Sequence, residues 1–136
     1  MEIGPFEKEY EAEVVSLWRE VFAYPAPHNN PAFTIGLKLR KDRDLFFVAL
    51  DDDKVIGTVM GGYDGHRGWI YLLAVSPVAR RRGVGTALVR HMEAVLRELG
   101  CPKINLQVLP DNERVIEFYR KLGFKVEERI SMGKVM

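Results

Sequence analysis

Apolar residues recur along this chain with two periods, one helical and one strand-like. Residues 2–6 read as a short strand, which Pro5 confines to a sheet edge or a strand end. Over residues 7–22, the positions of Val14, Val15, Leu17, Trp18, Val21 and Phe22 fit a helix. The stretch from Tyr24 through Pro25, Pro27 and His28 to Pro31 carries three prolines and is expected to be irregular. Residues 33–41, with Ile35, Leu37 and Leu39, fit a second, weaker helix. The apolar run at residues 45–50, the turn Asp51-Asp52-Asp53 and the run at residues 54–63 predict a hairpin, with Gly61-Gly62 marking a bulge. A second turn at residues 64–68 leads into a strand at residues 69–75. Beyond it, Val84, Ala87, Leu88, Met92, Val95, Leu96 and Leu99 line one face of a strongly amphipathic helix. Gly100 suits the position just past that helix, and Pro102 prevents continuation. Residues 103–108 read as a strand, Asp111 or Asn112 as the cap of a helix that Gly123 stops, and residues 124–135 as a final strand or bent pair.

The element order is therefore β-α-α-β-β-β-α-β-α-β. Antiparallel neighbours followed by strand–helix–strand imply an α+β fold, with a mixed, twisted sheet and helices on its faces. A chain of 136 residues can build one core, so residues 1–136 are expected to form a single domain. The formal net charge of +1 supplies no basic field for nucleic acid. The apolar runs at residues 45–50 and 70–75 are far too short to cross a bilayer, so no membrane partner is expected. Glu2, Glu7 and Glu9 are unlike a secretory leader, and the lone Cys101 cannot form an internal disulfide; together these favour the cytoplasm. Metal-ligand spacing is absent from the His, Cys, Asp and Glu positions, so no metal is expected.

The chemistry concentrates between the strand at residues 69–75 and the amphipathic helix. There the chain reads Arg80-Arg81-Arg82-Gly83-Val84-Gly85-Thr86. A glycine-pinched loop opening a helix aims several backbone N–H groups at one anion, and arginine forks add charge suited to phosphate. The P-loop string is missing. A dinucleotide fingerprint fails because Leu88 stands where a third small residue belongs and no acid closes the following strand. What remains is a phosphate or pyrophosphate site built on Arg80, Gly83 and Gly85.

A second landmark lies one strand further on: Asn112, then Tyr119, then Gly123-Phe124. Leu73-Ala74-Val75, Pro77, Arg80, Gly83 and Gly85, followed by this second set, resemble the GCN5-related N-acetyltransferase (GNAT) superfamily. The two motifs cover about residues 69–124. The resemblance implies a mostly antiparallel sheet with a splayed parallel strand pair, helices on both faces, and acetyl-CoA as donor. It places the CoA pyrophosphate on the amides of Arg81, Arg82, Gly83, Val84, Gly85 and Thr86, with Arg80 beside them. It lays the pantetheine arm along Leu73, Ala74 and Val75 like an added strand, because a splayed edge leaves backbone groups needing partners. Asn112 would bond the CoA arm, and Tyr119 would face the sulfur as general acid. The implied acceptor is a primary amine, on a small molecule or a protein, with a homodimer compatible with the same reading.

The general base is left open. In the subgroup that acetylates the N-terminal alanine of a ribosomal protein, a glutamate on the strand before the Asn–Tyr helix is the base. The matching position here is Gln107, whose amide cannot take a proton. Asp64 and His66 in the turn, His28 in the proline-rich stretch, or a water are the alternatives. The string from Gly61 to Gly68 and the run Gly100-Cys101-Pro102-Lys103-Ile104 also resemble a group of small bacterial acetyltransferases of unassigned substrate. Two rival readings stand beside the enzyme. One is a non-catalytic acyl-CoA binding or sensing domain, favoured by Gln107 and opposed by Tyr119; the other is a nucleic-acid module using the arginines, opposed by the net charge.

Overall fold

Each alternating apolar run pairs with its neighbour. β1 (Glu2–Pro5), β2 (Phe46–Asp51), β3 (Lys54–Tyr63), β4 (Gly68–Val75) and β5 (Ile104–Asn105) form one sheet in sequence order. The first three ladders are antiparallel and β4–β5 is parallel. Pro5 ends β1, and β1 is the sheet edge, as its missing N–H requires. Asp52 and Asp53 take φ of 49° and 62°, the left-handed pair that a tight β2–β3 hairpin turn needs. The computed structural model describes residues 1–22 and 26–136, so the expectation for Tyr24 and Pro25 lies outside the described residues.

Those residues form two compact units, Met1–Leu106 and Gln107–Met136. In the first unit the sheet is covered on both faces. On one side α1 (Glu11–Val21) buries Val14, Leu17 and Trp18 against Phe46, Val48, Met60 and Ala74. Phe6 stacks on Phe46 with ring centroids 4.4 Å apart, and Trp18 follows at 5.9 Å. α2 (Pro31–Lys41) lies beside α1 and buries Ile35 and Lys38. Pro31 was expected to interrupt structure, yet it opens this helix. Its missing N–H is one of the unpaired groups of a first turn anyway, and the Asn30 side chain caps by accepting from the Phe33 N–H at 3.2 Å.

On the other side α3 (Val84–Glu98) buries Val84, Leu88, Val89, Met92 and Leu96. The helix comes so close that a Cβ at Gly61 would sit 2.4 Å from the Met92 sulfur, and one at Gly57 would sit 2.9 Å from Leu88. Gly61 and Gly62 therefore keep regular register with Ile70 and Trp69; the expected bulge is not there, because these glycines make room for a helix. Ile56 of β3 is an extra residue against β2, and a second bulge lies in β4. Thr58 pairs with Ala74 and Met60 with Tyr71, so β4 carries one extra residue between those pairs. α3 ends as expected: Gly100 takes φ 85°, its N–H donates to the Arg97 carbonyl, and the Cys101 N–H donates to Leu96.

The second unit contains α4 (Glu113–Lys121) and the chain that follows. Asn112 caps it, its side chain accepting from the Val115 N–H at 3.4 Å. Gly123, at φ 98°, donates to Arg120, and Phe124 donates to Tyr119. The Tyr119-x-x-x-Gly123-Phe124 spacing is thus a glycine-terminated helix end whose outer residue packs back on the inner one, with ring centroids 5.5 Å apart. The expected final strand at residues 124–135 is absent, and the strand expected at 103–108 shrinks to Ile104–Asn105. A strand persists only where a partner takes its N–H and C=O groups. The sheet's last ladder offers two register pairs, and Val126, Ile130, Met132 and Val135 in the tail stay exposed.

Candidate active site

Two features of the first unit meet along one continuous stretch of chain. The parallel ladder pairs Gly68 with Ile104 and Trp69 with Asn105, then stops. From residue 70 onward that edge of β4 has no strand neighbour among the described residues. Leu73, Ala74 and Val75 lie on this open stretch, Leu73 within the bulge and Ala74 and Val75 beyond it. A single short turn, Pro77–Ala79, then carries the chain to the arginine–glycine loop.

The loop folds by alternating handedness. Arg80 is extended, while Arg81 and Gly83 take φ of 66° and 77°. Such alternation turns successive N–H groups toward one point, a concavity suited to an anion. Gly83 is also the residue capping α3, and the first intrahelical bond runs from the Ala87 N–H to the Gly83 carbonyl. The N–H groups of Val84, Gly85 and Thr86 precede that bond, so the helix itself gives them no acceptor. The arginines divide. Arg82 is paired with Asp51 at 2.8 Å, and its guanidinium holds the Asp51 carboxyl below the usual carboxylate range. Arg80 and Arg81 form no ion pair among the described residues.

In the turn before β4, Asp64 accepts from the backbone N–H groups of His66 and Arg67, each at 2.7 Å. Those bonds, Arg67's first and His66's next, hold its carboxyl below the usual range. A carboxylate stabilised that way is a weak base, and its geometry is that of a turn residue. The His66 side chain is exposed. His28 lies in the short turn Pro27–Asn29 and is also exposed.

In the second unit, Tyr119 is buried, with Phe118 and Phe124 edge-on to its ring. Burial pushes its hydroxyl up to about 12, so it stays protonated through any physiological range. Gln107 donates from its amide to the Ser131 hydroxyl at 2.6 Å, so this side chain is tied to the tail.

Two polar clusters escaped the sequence reading. Trp18 Nε1 donates to Thr58 Oγ1 at 2.8 Å, and Thr58 donates to the Leu72 carbonyl at 3.0 Å. Lys38 is buried; its Nζ donates to the Gly61 carbonyl and to the Tyr71 hydroxyl at 2.8 Å. It also lies 2.6 Å from Asp42 Oδ1, an ion pair by distance at an angle outside hydrogen-bond geometry. The available signals were polar residues inside apolar runs: Thr58 between Gly57 and Val59, and Lys38 between Leu37 and Leu39. No three His, Cys, Asp or Glu side chains converge among the described residues, and no helix there is long and apolar enough to cross a membrane.

Comparison with known proteins fits this architecture. The model of the Acetyltransferase (GNAT) family matches residues 11–124, and the chain belongs to that family. It is an N-acetyltransferase. Among solved structures it is similar to Ard1 from Thermoplasma volcanium, at 28% identity and a TM-score of 0.82, over 93% of this chain and 83% of that one. The aminoglycoside acetyltransferase AAC(6')-Iy, solved with a bisubstrate CoA analog, shares the fold at 19% identity and a TM-score of 0.80, over 99% and 97% of the two chains. The ribosomal-protein-S18-alanine N-acetyltransferase from Escherichia coli does so at 22% identity and 0.76, over 91% and 77%.

Proposed function

We propose that this acetyltransferase moves an acetyl group from acetyl-CoA directly to a primary amine, on a small molecule or a protein, in the cytoplasm. Residues 1–136 are taken as one catalytic domain. The observation that carries the reading is the unpaired β4 edge leading, through one short turn, into the left-handed loop that caps α3. An extended pantetheine arm suits the edge at Leu73, Ala74 and Val75, and a diphosphate suits the amides of residues 81–86, with Arg80 and Arg81 adding charge. Asn112 and Tyr119 enter this scheme from their motif: Asn112 bonds the CoA arm while capping α4, and Tyr119 stands at the sulfur.

The reaction balances without a further co-reactant. A neutral amine nitrogen attacks the thioester carbonyl, an N–H of the residues 73–75 stretch receives the developing oxyanion, and the carbon–sulfur bond breaks. The thiolate takes the Tyr119 proton and leaves as free CoA. The amine's proton goes to His66 or Asp64, through water where needed. The Asp64 bonding favours His66 for that role. Gln107 supports the non-catalytic alternative only in removing the glutamate base of one subgroup; His66 or a water can take the proton that the attacking amine sheds.

Incubation with acetyl-CoA labelled in the acetyl group, followed by mass spectrometry of a mixed amine pool, tests direct transfer. Labelled acetyl on an amine supports the reading. Labelled acetate alone, with every amine unmodified, would show a thioesterase instead.

A further inference from the structure

The bulge in β4 has a cause. Leu72 adopts φ 50°, a conformation uncommon for leucine that persists only where its surroundings over-determine it. Beside it lies the one place in the sheet where β4 has a residue too many relative to β3. The Leu72 carbonyl accepts from the Thr58 hydroxyl. Thr58 is wholly buried, in a core where Lys38 is the other buried polar side chain among the described residues. Its hydroxyl proton has a fixed destination. The Trp18 indole N–H can only donate, so it occupies a Thr58 lone pair and leaves the proton to point at Leu72. The chain therefore runs in one direction, from Trp18 on α1 through Thr58 on β3 to the bulge on β4. A valine would fill the Thr58 site equally well by volume; the hydroxyl is required because the bulge turns a carbonyl inward.

We propose that Thr58 and Trp18 are positioning residues of the acetyl-transfer step, fixing the β4 bulge through this buried chain so that the N–H groups after it face the thioester carbonyl. The inference rests on the proposed function above. The bulge sits where β4 has already parted from β5, so the N–H groups that follow it are free of that ladder. A strand straightened there would shift residues 72 and 73 by one position in the pleat and turn their N–H groups to the opposite edge. The diphosphate loop lies beyond a separate turn and is untouched by that change.

The test compares Thr58→Val with Thr58→Ser, at a temperature well below the melting point of each variant. Thr58→Val should lower kcat by about tenfold or more while changing the acetyl-CoA Kd by less than about threefold. Thr58→Ser restores the hydroxyl and should recover most of the lost kcat. Trp18→Phe removes the indole donor together with part of the buried ring, keeps the Thr58 bond, and should give an intermediate kcat, which covers the case in which Thr58→Val does not fold. Hydrogen exchange adds an independent readout: with acetyl-CoA bound, the N–H groups of residues 72 and 73 should be protected in the wild type, and much less so in Thr58→Val or Trp18→Phe. A lower melting temperature with unchanged kcat and unchanged protection would overturn the inference and leave the acetyltransferase reading intact. Wild-type protein that neither binds nor consumes acetyl-CoA would instead remove the proposed function, and the inference with it.

Discussion

Gly83 separates backbone strain from charge in a single position. Its φ of 77° is left-handed, and a Cβ built there meets no atom within 4 Å. An alanine therefore clashes with nothing and suffers only the conformational penalty, about 1–2 kcal/mol. For a chain of this length that shift corresponds to roughly 3–8 °C in melting temperature. Aspartate tolerates the left-handed region better than alanine, so Gly83→Asp should melt no lower than Gly83→Ala. Its carboxylate, however, would project into the concavity formed by residues 81–86. At about 6 Å from a diphosphate, each phosphate charge costs about 0.7 kcal/mol even in a water-like medium. Two such charges give about 1.4 kcal/mol, or tenfold in affinity. The two effects separate: Gly83→Ala loses stability and keeps acetyl-CoA affinity within about threefold, whereas Gly83→Asp melts no lower than Gly83→Ala and loses at least about tenfold in affinity. Calorimetry and a thermal melt read the two quantities separately. If Gly83→Asp folds and binds acetyl-CoA like the wild type, the diphosphate does not lie on this loop.

Tyr119→Phe keeps the ring and deletes the hydroxyl; as the proposed acid, it should lose about 10²-fold in turnover with acetyl-CoA binding nearly unchanged, and wild-type turnover would assign the leaving-group proton elsewhere. Because burial raises the folded Tyr119 hydroxyl from 10.0 to about 12, its stabilising share is complete below pH 10 and is lost as pH rises from 10 to 12; the wild type should destabilise more steeply across that window than Tyr119→Phe, and parallel curves would contradict the burial. His66→Ala and Asp64→Asn should be followed by kcat against pH with one good acceptor. If His66 takes the proton, the alanine variant should lower kcat at every pH, while Asp64→Asn retains an accepting oxygen and should leave the turn and kcat in place. Gly61→Ala must displace the Met92 thioether, whose sulfur lies 2.4 Å from the added carbon, and should cost about 1–3 kcal/mol in denaturant unfolding; a neutral result would mean that α3 stands off the sheet.

Most of the first unit was legible because local chemistry and global fold agree there. The hairpin from Phe46 to Tyr63, the strand Gly68–Val75 and the helix Val84–Glu98 carry full periods, turn residues and a glycine stop, and each forms within a residue or so of its expected bounds. The misreadings arise where a residue type serves two physical ends. Gly61 and Gly62 suggested a bulge, yet a missing Cβ equally admits a helix, and Met92 decides the matter. Pro31 ends regular structure in one context and begins a helix in another, and the Asn30 cap decides it. The β4 bulge left no mark at Leu72, because its cause lies in Thr58 and Trp18, far away in sequence. Residues 124–135 alternate well enough for a strand but find no ladder. Of the candidate site, the loop that opens α3 was readable from its glycines; the engagement of Arg82 by Asp51 was not, since the pair spans distant turns.

Release of free CoA thiol from acetyl-CoA, followed spectroscopically across a panel of primary amines and N-terminal peptides, decides whether this protein transfers acetyl groups to amines. The expected result is thiol release that depends on both protein and amine, saturates in acetyl-CoA, and rises with pH through a single limb as the amine loses its proton. Saturable acetyl-CoA binding with no thiol released by any amine at any pH would contradict the account and favour a domain that binds acyl-CoA without consuming it.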